Sequence, residues 1–173
     1  MARKGYMVCE TTNLTGSVCY SLQSAKELEN GVVVGKGDLE ANETSIYTAK
    51  DTYDDGMFLV ANPAWKYDRY KATDLNEEEF INPANVPFRA YKLEKDMKFK
   101  VANIPDGVTL QKGDYVKYDA GVLAKDDAGA NKFKVVAIEE YGFPYCIGSA
   151  GTKVGTYGHA VGDVTKKYTI QVM

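Results

Sequence analysis

The chain has 173 residues, enough for one domain of typical size with a buried core. Its 21 basic and 24 acidic residues are interspersed and give a net charge of −3, which excludes the concentrated basic excess of a nucleic-acid-binding protein. No stretch approaches the roughly 18 consecutive apolar residues of a membrane helix, so we expect neither nucleic acid nor a membrane as a partner.

The cysteines form an odd set, Cys9, Cys19 and Cys146, without a C-x-x-C spacing. Residues 1–5 have two charges but no apolar run behind them, so they do not predict a secretory signal. These features favour free thiols in a reducing compartment, with a small Cys9–Cys19 loop as the alternative. Because His159 is the one histidine, most multi-ligand zinc sites are excluded, and we expect no metal and no cofactor.

Residues 1–25 lack a clear hydrophobic period and are interrupted by Gly, Asn, Ser and Thr. We interpret them as an N-terminal extended arm, or as loosely held strands, that orders against a partner. Residues 24–31 then fit one or two helical turns ending at Gly31, or a loop between strands.

From residue 32 onward the pattern predicts strands separated by Gly, Asp and Pro turns. Apolar runs occur at 32–34 and 57–61, and residues 88–93 and 97–101 alternate apolar with polar side chains, with Met97, Phe99 and Val101 on one face. A hairpin is expected around 119–121. Residues 132–138 form the strongest strand, with Phe133 and Val135 sharing a face with Ala137.

One helix is predicted, from Thr73 or Asp74 to Phe80, because three glutamates occupy its first turns and Asn82-Pro83 follows it. The other segments predict an all-β fold, a small sandwich or barrel of many short antiparallel strands. We therefore divide the chain into the arm, 1–25, and a β domain, 26–173. That domain is either a single unit or two subdomains, 26–103 and 104–173.

The sequence segments that resemble catalytic or ligand-binding motifs lack residues that those motifs require. The glycine-rich run 148–158 lacks the Gly-Lys-Ser/Thr of a phosphate-binding loop, and the acidic turn 51–56 has Tyr53 where a calcium loop needs an oxygen ligand. Nothing in the sequence brings Cys146 and His159 together as a nucleophile and base. We predict no catalytic residues, so the protein is not expected to be an enzyme.

Candidate partner-binding residues come from residue type. Trp65, Tyr67 and Tyr70 are interleaved with basic residues, including Arg69, and Trp, Tyr and Arg dominate protein interfaces. Arg3 and Tyr6 in the arm complete the set. The same interleaving also occurs in modules that bind single strands or sugars.

The segment 104–116, IPDGVTLQKGDYV, places a Lys-Gly-Asp turn between two apolar strands, and Gly162-Asp163-Val164 repeats the Gly-Asp turn. Residues 104–172 thereby resemble the small β-barrel domains of tailed-bacteriophage head decoration (auxiliary capsid) proteins. The resemblance covers the last part of the chain and rests on turn chemistry. It implies a virion protein that is made in the host cytoplasm and binds the outside of the capsid. Its expected partners are the major capsid protein and other copies of itself.

Two other functions remain open at this point. One is another structural component of the virion, such as a tail-tube, head-completion or head-fibre protein. The other is a carbohydrate-binding β module that uses Trp65, Tyr67 and Tyr70.

Overall fold

The computed structural model describes residues 14, 16–54, 56–63, 80–101, 108–119, 121–127, 129–141, 146–147, 153–154 and 165–173. The predicted all-β fold is confirmed, and no helix occurs in these ranges. Residues 1–13 of the expected arm and 73–79 of the expected helix lie outside them. The strands are β1 (Cys19–Gln23), β2 (Leu28–Glu29), β3 (Val33–Leu39), β4 (Ile46–Lys50), β5 (Met57–Val60), β6 (Ile81–Asn82), β7 (Phe88–Leu93), β8 (Lys98–Val101), β9 (Tyr115–Asp119), β10 (Val122–Lys125), β11 (Phe133–Tyr141), β12 (Cys146–Ile147), β13 (Lys153–Val154) and β14 (Thr165–Val172).

The first half of the fold is a closed barrel with the strand order β1-β4-β3-β5-β7. Its pairs are antiparallel except for β1 and β4, which run parallel. Residues 19–23, at the end of the expected arm, form β1 and close the barrel against β7. Residues 24–31 contain the short strand β2, which pairs with β6, and no helical turn.

The second half is an open antiparallel sheet with the order β10-β9-β11-β14-β8. Strands β12 and β13 form a separate two-stranded ladder. All barrel strands precede residue 94 and all strands of the open sheet follow residue 97. The chain therefore passes from barrel to open sheet between β7 and β8.

Strands β3 and β5 of the barrel are buried on both faces. Val33, Val34, Leu59 and Val60 are each at most 1% exposed, although successive side chains of a strand point to opposite faces. All four belong to one apolar core that also includes buried residues of the open sheet. Continuous apolar runs are what such doubly buried strands require.

A β-bulge shifts the faces of β11. The simple alternation places Ala137 with Phe133 and Val135, but the register slips between Val135 and Ala137. Beyond the bulge Ala137 pairs with Thr169, and Ile138 takes the core side opposite Tyr168. The extra residue in the bulge causes this change, because one unpaired residue reverses the face of the sheet to which every later side chain of the strand points.

The hydroxyl group of Tyr53 joins the two halves. It accepts a hydrogen bond from the backbone N–H of Tyr118, at 3.1 Å, and donates one to the carbonyl oxygen of the same residue, at 3.1 Å. In the described chain β9 pairs with β11 through Tyr115 and Val116, so the Tyr53 hydroxyl replaces a strand partner at Tyr118.

The Tyr118 side chain extends from the open sheet to the chain segment that precedes β3 of the barrel. Its hydroxyl donates to the carbonyl oxygen of Gly31 at 2.8 Å, and the residue is 4% exposed. Phe133 packs edge-on against both tyrosines, with ring centroids 6.0 Å from Tyr53 and 5.7 Å from Tyr118. We call this group, Tyr53, Tyr118, Gly31 and Phe133, the tyrosine junction.

We predict that Tyr53→Phe lowers the free energy of unfolding by about 1–3 kcal/mol, because it removes both hydrogen bonds that the Tyr53 hydroxyl makes to the Tyr118 backbone. Urea unfolding followed by fluorescence measures the change. The matched control is Tyr91→Phe on β7, whose hydroxyl makes no hydrogen bond within the described residues. Equal stability of the two variants would contradict the role given to Tyr53.

The turn before β9 is stabilised by Asp114. Its Oδ2 accepts the backbone N–H of Gln111 at 2.8 Å, and its Oδ1 lies 3.3 Å from Nζ of Lys125. The Gln111 hydrogen bond, with a smaller contribution from Lys125, lowers the pKa of Asp114 below its ordinary value of 3.8. The folded state therefore prefers the ionised carboxylate.

This lowered pKa predicts a pH dependence of stability. The contribution of Asp114 is complete above the ordinary pKa of 3.8 and is lost as the pH falls through the lower pKa of the folded state. Asp114→Asn should be less stable than the wild type near neutral pH, and the difference should shrink in acid. Urea unfolding midpoints across this range test it, with the exposed Asp119→Asn as control. A difference independent of pH would contradict the prediction.

Candidate functional site

The six candidate partner-binding residues, Arg3, Tyr6, Trp65, Tyr67, Arg69 and Tyr70, lie outside the described residues. The structure does describe where the segment containing four of them joins the barrel. Strand β5 ends at Val60, residues 61–63 continue from it, and the chain is described again from Phe80. We call residues 64–79 the excursion.

Asn30 holds both ends of the excursion. Its Nδ2 donates to the carbonyl oxygen of Asn62 at 2.8 Å, and its Oδ1 accepts the backbone N–H of Asn62 at 3.0 Å. The same Oδ1 accepts a hydrogen bond from Nδ2 of Asn82 at 3.1 Å. Asn30, Asn62 and Asn82 form what we call the asparagine clamp.

Asn82 anchors the clamp in the interior. It is 1% exposed, and its Nδ2 also donates to the carbonyl oxygen of Leu28 at 3.0 Å. Its Oδ1 is buried and accepts no hydrogen bond within the described chain. Phe80, two residues earlier, is 7% exposed. Because a buried amide is costly without partners, the two hydrogen bonds that Nδ2 of Asn82 donates hold the chain in place at residue 82.

The clamp brings together two described positions, one on each side of the excursion. Asn62 and Asn82 are hydrogen-bonded to the same Asn30 side chain, so the chain leaves and re-enters the described fold at neighbouring points. Binding residues are often found in segments whose flanks are positioned by a rigid scaffold. Trp65, Tyr67, Arg69 and Tyr70 belong to the segment between these two positions.

A second surface is the face of the open sheet directed away from the core. Tyr115, Lys134, Gln171 and Lys98 lie side by side in register across β9, β11, β14 and β8. The Lys134 ammonium lies 5.5 Å from the ring centroid of Tyr115. We call this surface the basic face. It has two acidic residues, Asp119 and Glu139, and five lysines. The lysines are Lys98, Lys100, Lys117, Lys134 and Lys167.

A third feature is a contact between a lysine and two aromatic rings on barrel strands β1, β3 and β4. The Lys36 ammonium lies 3.8 Å from the ring centroid of Tyr47 and 5.5 Å from that of Tyr20, and the two rings meet edge-on. Cation–π contacts of this kind hold the lysine against the aromatic side chains.

The motifs considered for chemistry have structural partners where the structure describes them. Asp51 pairs with Lys26 at 2.6 Å, and Asp54 pairs with Lys132 at 3.1 Å. Among the described residues no group of three His, Cys, Asp or Glu side chains could hold a metal ion. Cys19 is an exposed free thiol, and His159, which the sequence does not bring together with Cys146, lies outside the described ranges.

The sequence does not indicate the clamp. Asn62-Pro63 and Asn82-Pro83 are ordinary turn signals, which predict the end of a strand or helix and no contact with each other. Contacts between residues 32 and 52 positions apart leave no local pattern. The basic face does give a local pattern in the sequence, because its lysines alternate with buried apolar residues in β8.

Comparison with protein-family models, with curated proteins and with solved structures gave no match. Within the described ranges no helix has the length and apolar character needed to cross a membrane.

We predict that Asn30→Ala loosens the base of the excursion, because it removes the acceptor of the Asn62 N–H and of the Asn82 amide. Trypsin cleavage after Lys66, Arg69 and Lys71 should become several-fold faster, and stability should fall by about 1–3 kcal/mol. The control is Gln111→Ala, an exposed polar residue on another turn. Unchanged cleavage in a destabilised Asn30→Ala protein would show that Asn30 does not hold the excursion.

Proposed function

We propose that this protein is a structural component of a bacteriophage virion. In this proposal it binds the outside of the capsid and stabilises the head through contacts with major capsid protein subunits. The turn chemistry of residues 104–116 supports the proposal through its resemblance to head decoration proteins. The all-β body, with its core formed almost wholly by apolar side chains, suits a protein that works through its surfaces.

The observation that carries the proposal is the asparagine clamp. It fixes both ends of a segment that contains the one tryptophan of the chain, two tyrosines and an arginine. These residue types supply most of the binding energy in protein interfaces. Fixing the ends of a binding segment lowers the entropy lost when it docks.

A repeating shell suits such a design. Each copy needs a modest interface, because many equivalent sites on the lattice are filled independently and several patches of one copy can act together. The arm residues Arg3 and Tyr6 would add a second patch in this proposal. Their contribution is separable from that of the excursion by mutation.

The test is co-sedimentation with capsid shells assembled from the major capsid protein encoded in the same genome. The wild type should pellet with the shells to a saturating ratio. Trp65→Ala with Tyr67→Ala should weaken binding at least tenfold, since hot-spot residues cost more than about 1.4 kcal/mol each. The control is Val86→Ala, an exposed apolar residue on a separate turn.

Two outcomes would overturn the proposal. Absence of wild-type binding to folded shells would exclude a capsid-binding role. Equal binding by the wild type and the Trp65/Tyr67 variant would remove the excursion from the interface.

A further inference from the structure

Three of the five lysines of the basic face have no ion-pair partner among the described residues. Lys98, Lys117 and Lys134 form no ion pair within the described residues, whereas Lys100 is paired with Glu139 at 3.2 Å. The net charge of the whole chain is −3, so this excess of positive charge is local. A local excess of one sign attracts a surface of the opposite sign.

The same chain presents such a surface on the β3–β4 hairpin. Residues 37–49 contain three carboxylates, Asp38, Glu40 and Glu43, and no basic residue. None of the three carboxylates is ion-paired in the described part of the chain. We call them, with Leu39, the acidic hairpin.

The acidic hairpin is held in a defined shape. The Glu40 N–H donates to the carbonyl oxygen of Ile46 at 2.9 Å, and the Glu43 N–H donates to that of Glu40 at 3.0 Å. Leu39 is 47% exposed beside these carboxylates, and Val122 on the outer side of β10 is 49% exposed. The two surfaces thus match in charge, three carboxylates against three lysines, and each offers an apolar residue.

The acidic hairpin belongs to the barrel, which packs against the inner face of the open sheet, whereas the unpaired lysines project from the outer face. The two surfaces therefore do not meet within one copy. We infer that the acidic hairpin of one copy docks on the basic face of the next, in a head-to-tail contact. Such a contact forms a ring where the rotation closes and a filament where it does not.

Sedimentation velocity of the isolated protein tests this inference, which does not depend on the proposed capsid binding. The wild type should associate at about 20 mM salt and dissociate at about 500 mM salt, since screening weakens contacts between exposed charges. Lys98→Glu with Lys134→Glu should sediment as a monomer at low salt. Asp38→Lys with Glu43→Lys should do the same.

Mixing the two variants supplies the specific test. Each repels itself, but together they restore opposite charges at both contacts, so the mixture should associate at low salt. The control is Lys95→Glu with Lys112→Glu, which makes the same change of net charge at exposed turns and should associate like the wild type. Thermal unfolding confirms that all variants are folded.

Three results would overturn the inference. They are a wild type that is monomeric at low salt, a mixture of the two folded variants that stays monomeric, or a control variant that dissociates like the others.

Discussion

One phenolic hydroxyl joins the backbone of the open sheet to the barrel half. Tyr53 follows β4 of the barrel, yet its hydroxyl binds both backbone polar groups of Tyr118 on the open sheet. A side-chain hydroxyl can replace a strand partner in this way because it donates one hydrogen bond and accepts others. Backbone polar groups beside a buried aromatic cluster need hydrogen-bond partners, and the Tyr53 hydroxyl is a partner for both of these.

The tyrosine junction also explains why residue 35 is a glycine. A Cβ atom at Gly35 would lie 1.9 Å from the carbonyl oxygen of Thr52, the residue before Tyr53. Any other residue would push the backbone of Thr52 away from β3 and move the Tyr53 hydroxyl with it. The close approach of these two segments is therefore a condition for the hydrogen bonds to Tyr118.

The sequence predicts those strands and turns that depend on the pattern of neighbouring residues. The strands β3, β5, β7 and β8 follow from apolar runs or period-two alternation, and the β9–β10 hairpin follows from its turn. The sequence does not predict features that depend on residues far apart in the chain. The parallel pairing of β1 with β4 and the bulge in β11 depend on how whole strands fit together. Likewise, Asn30, Asn62 and Asn82 each resemble an isolated turn residue until the fold brings them into one network.

The same reasoning separates two kinds of surface in this protein. Residue type alone indicates the candidate residues Trp65, Tyr67, Arg69 and Tyr70. The structure adds that Asn62 and Asn82, on either side of their segment, are hydrogen-bonded to the same Asn30 side chain. The basic face arises differently, because lysines on one side of a strand are the by-product of apolar residues on the other and also discourage unwanted edge pairing. Three lysines of this face have no ion-pair partner among the described residues, although Asp119 and Glu139 share the face with them. The three carboxylates of the acidic hairpin are not ion-paired there either, so the inferred head-to-tail contact would bring two sets of unpaired charges together.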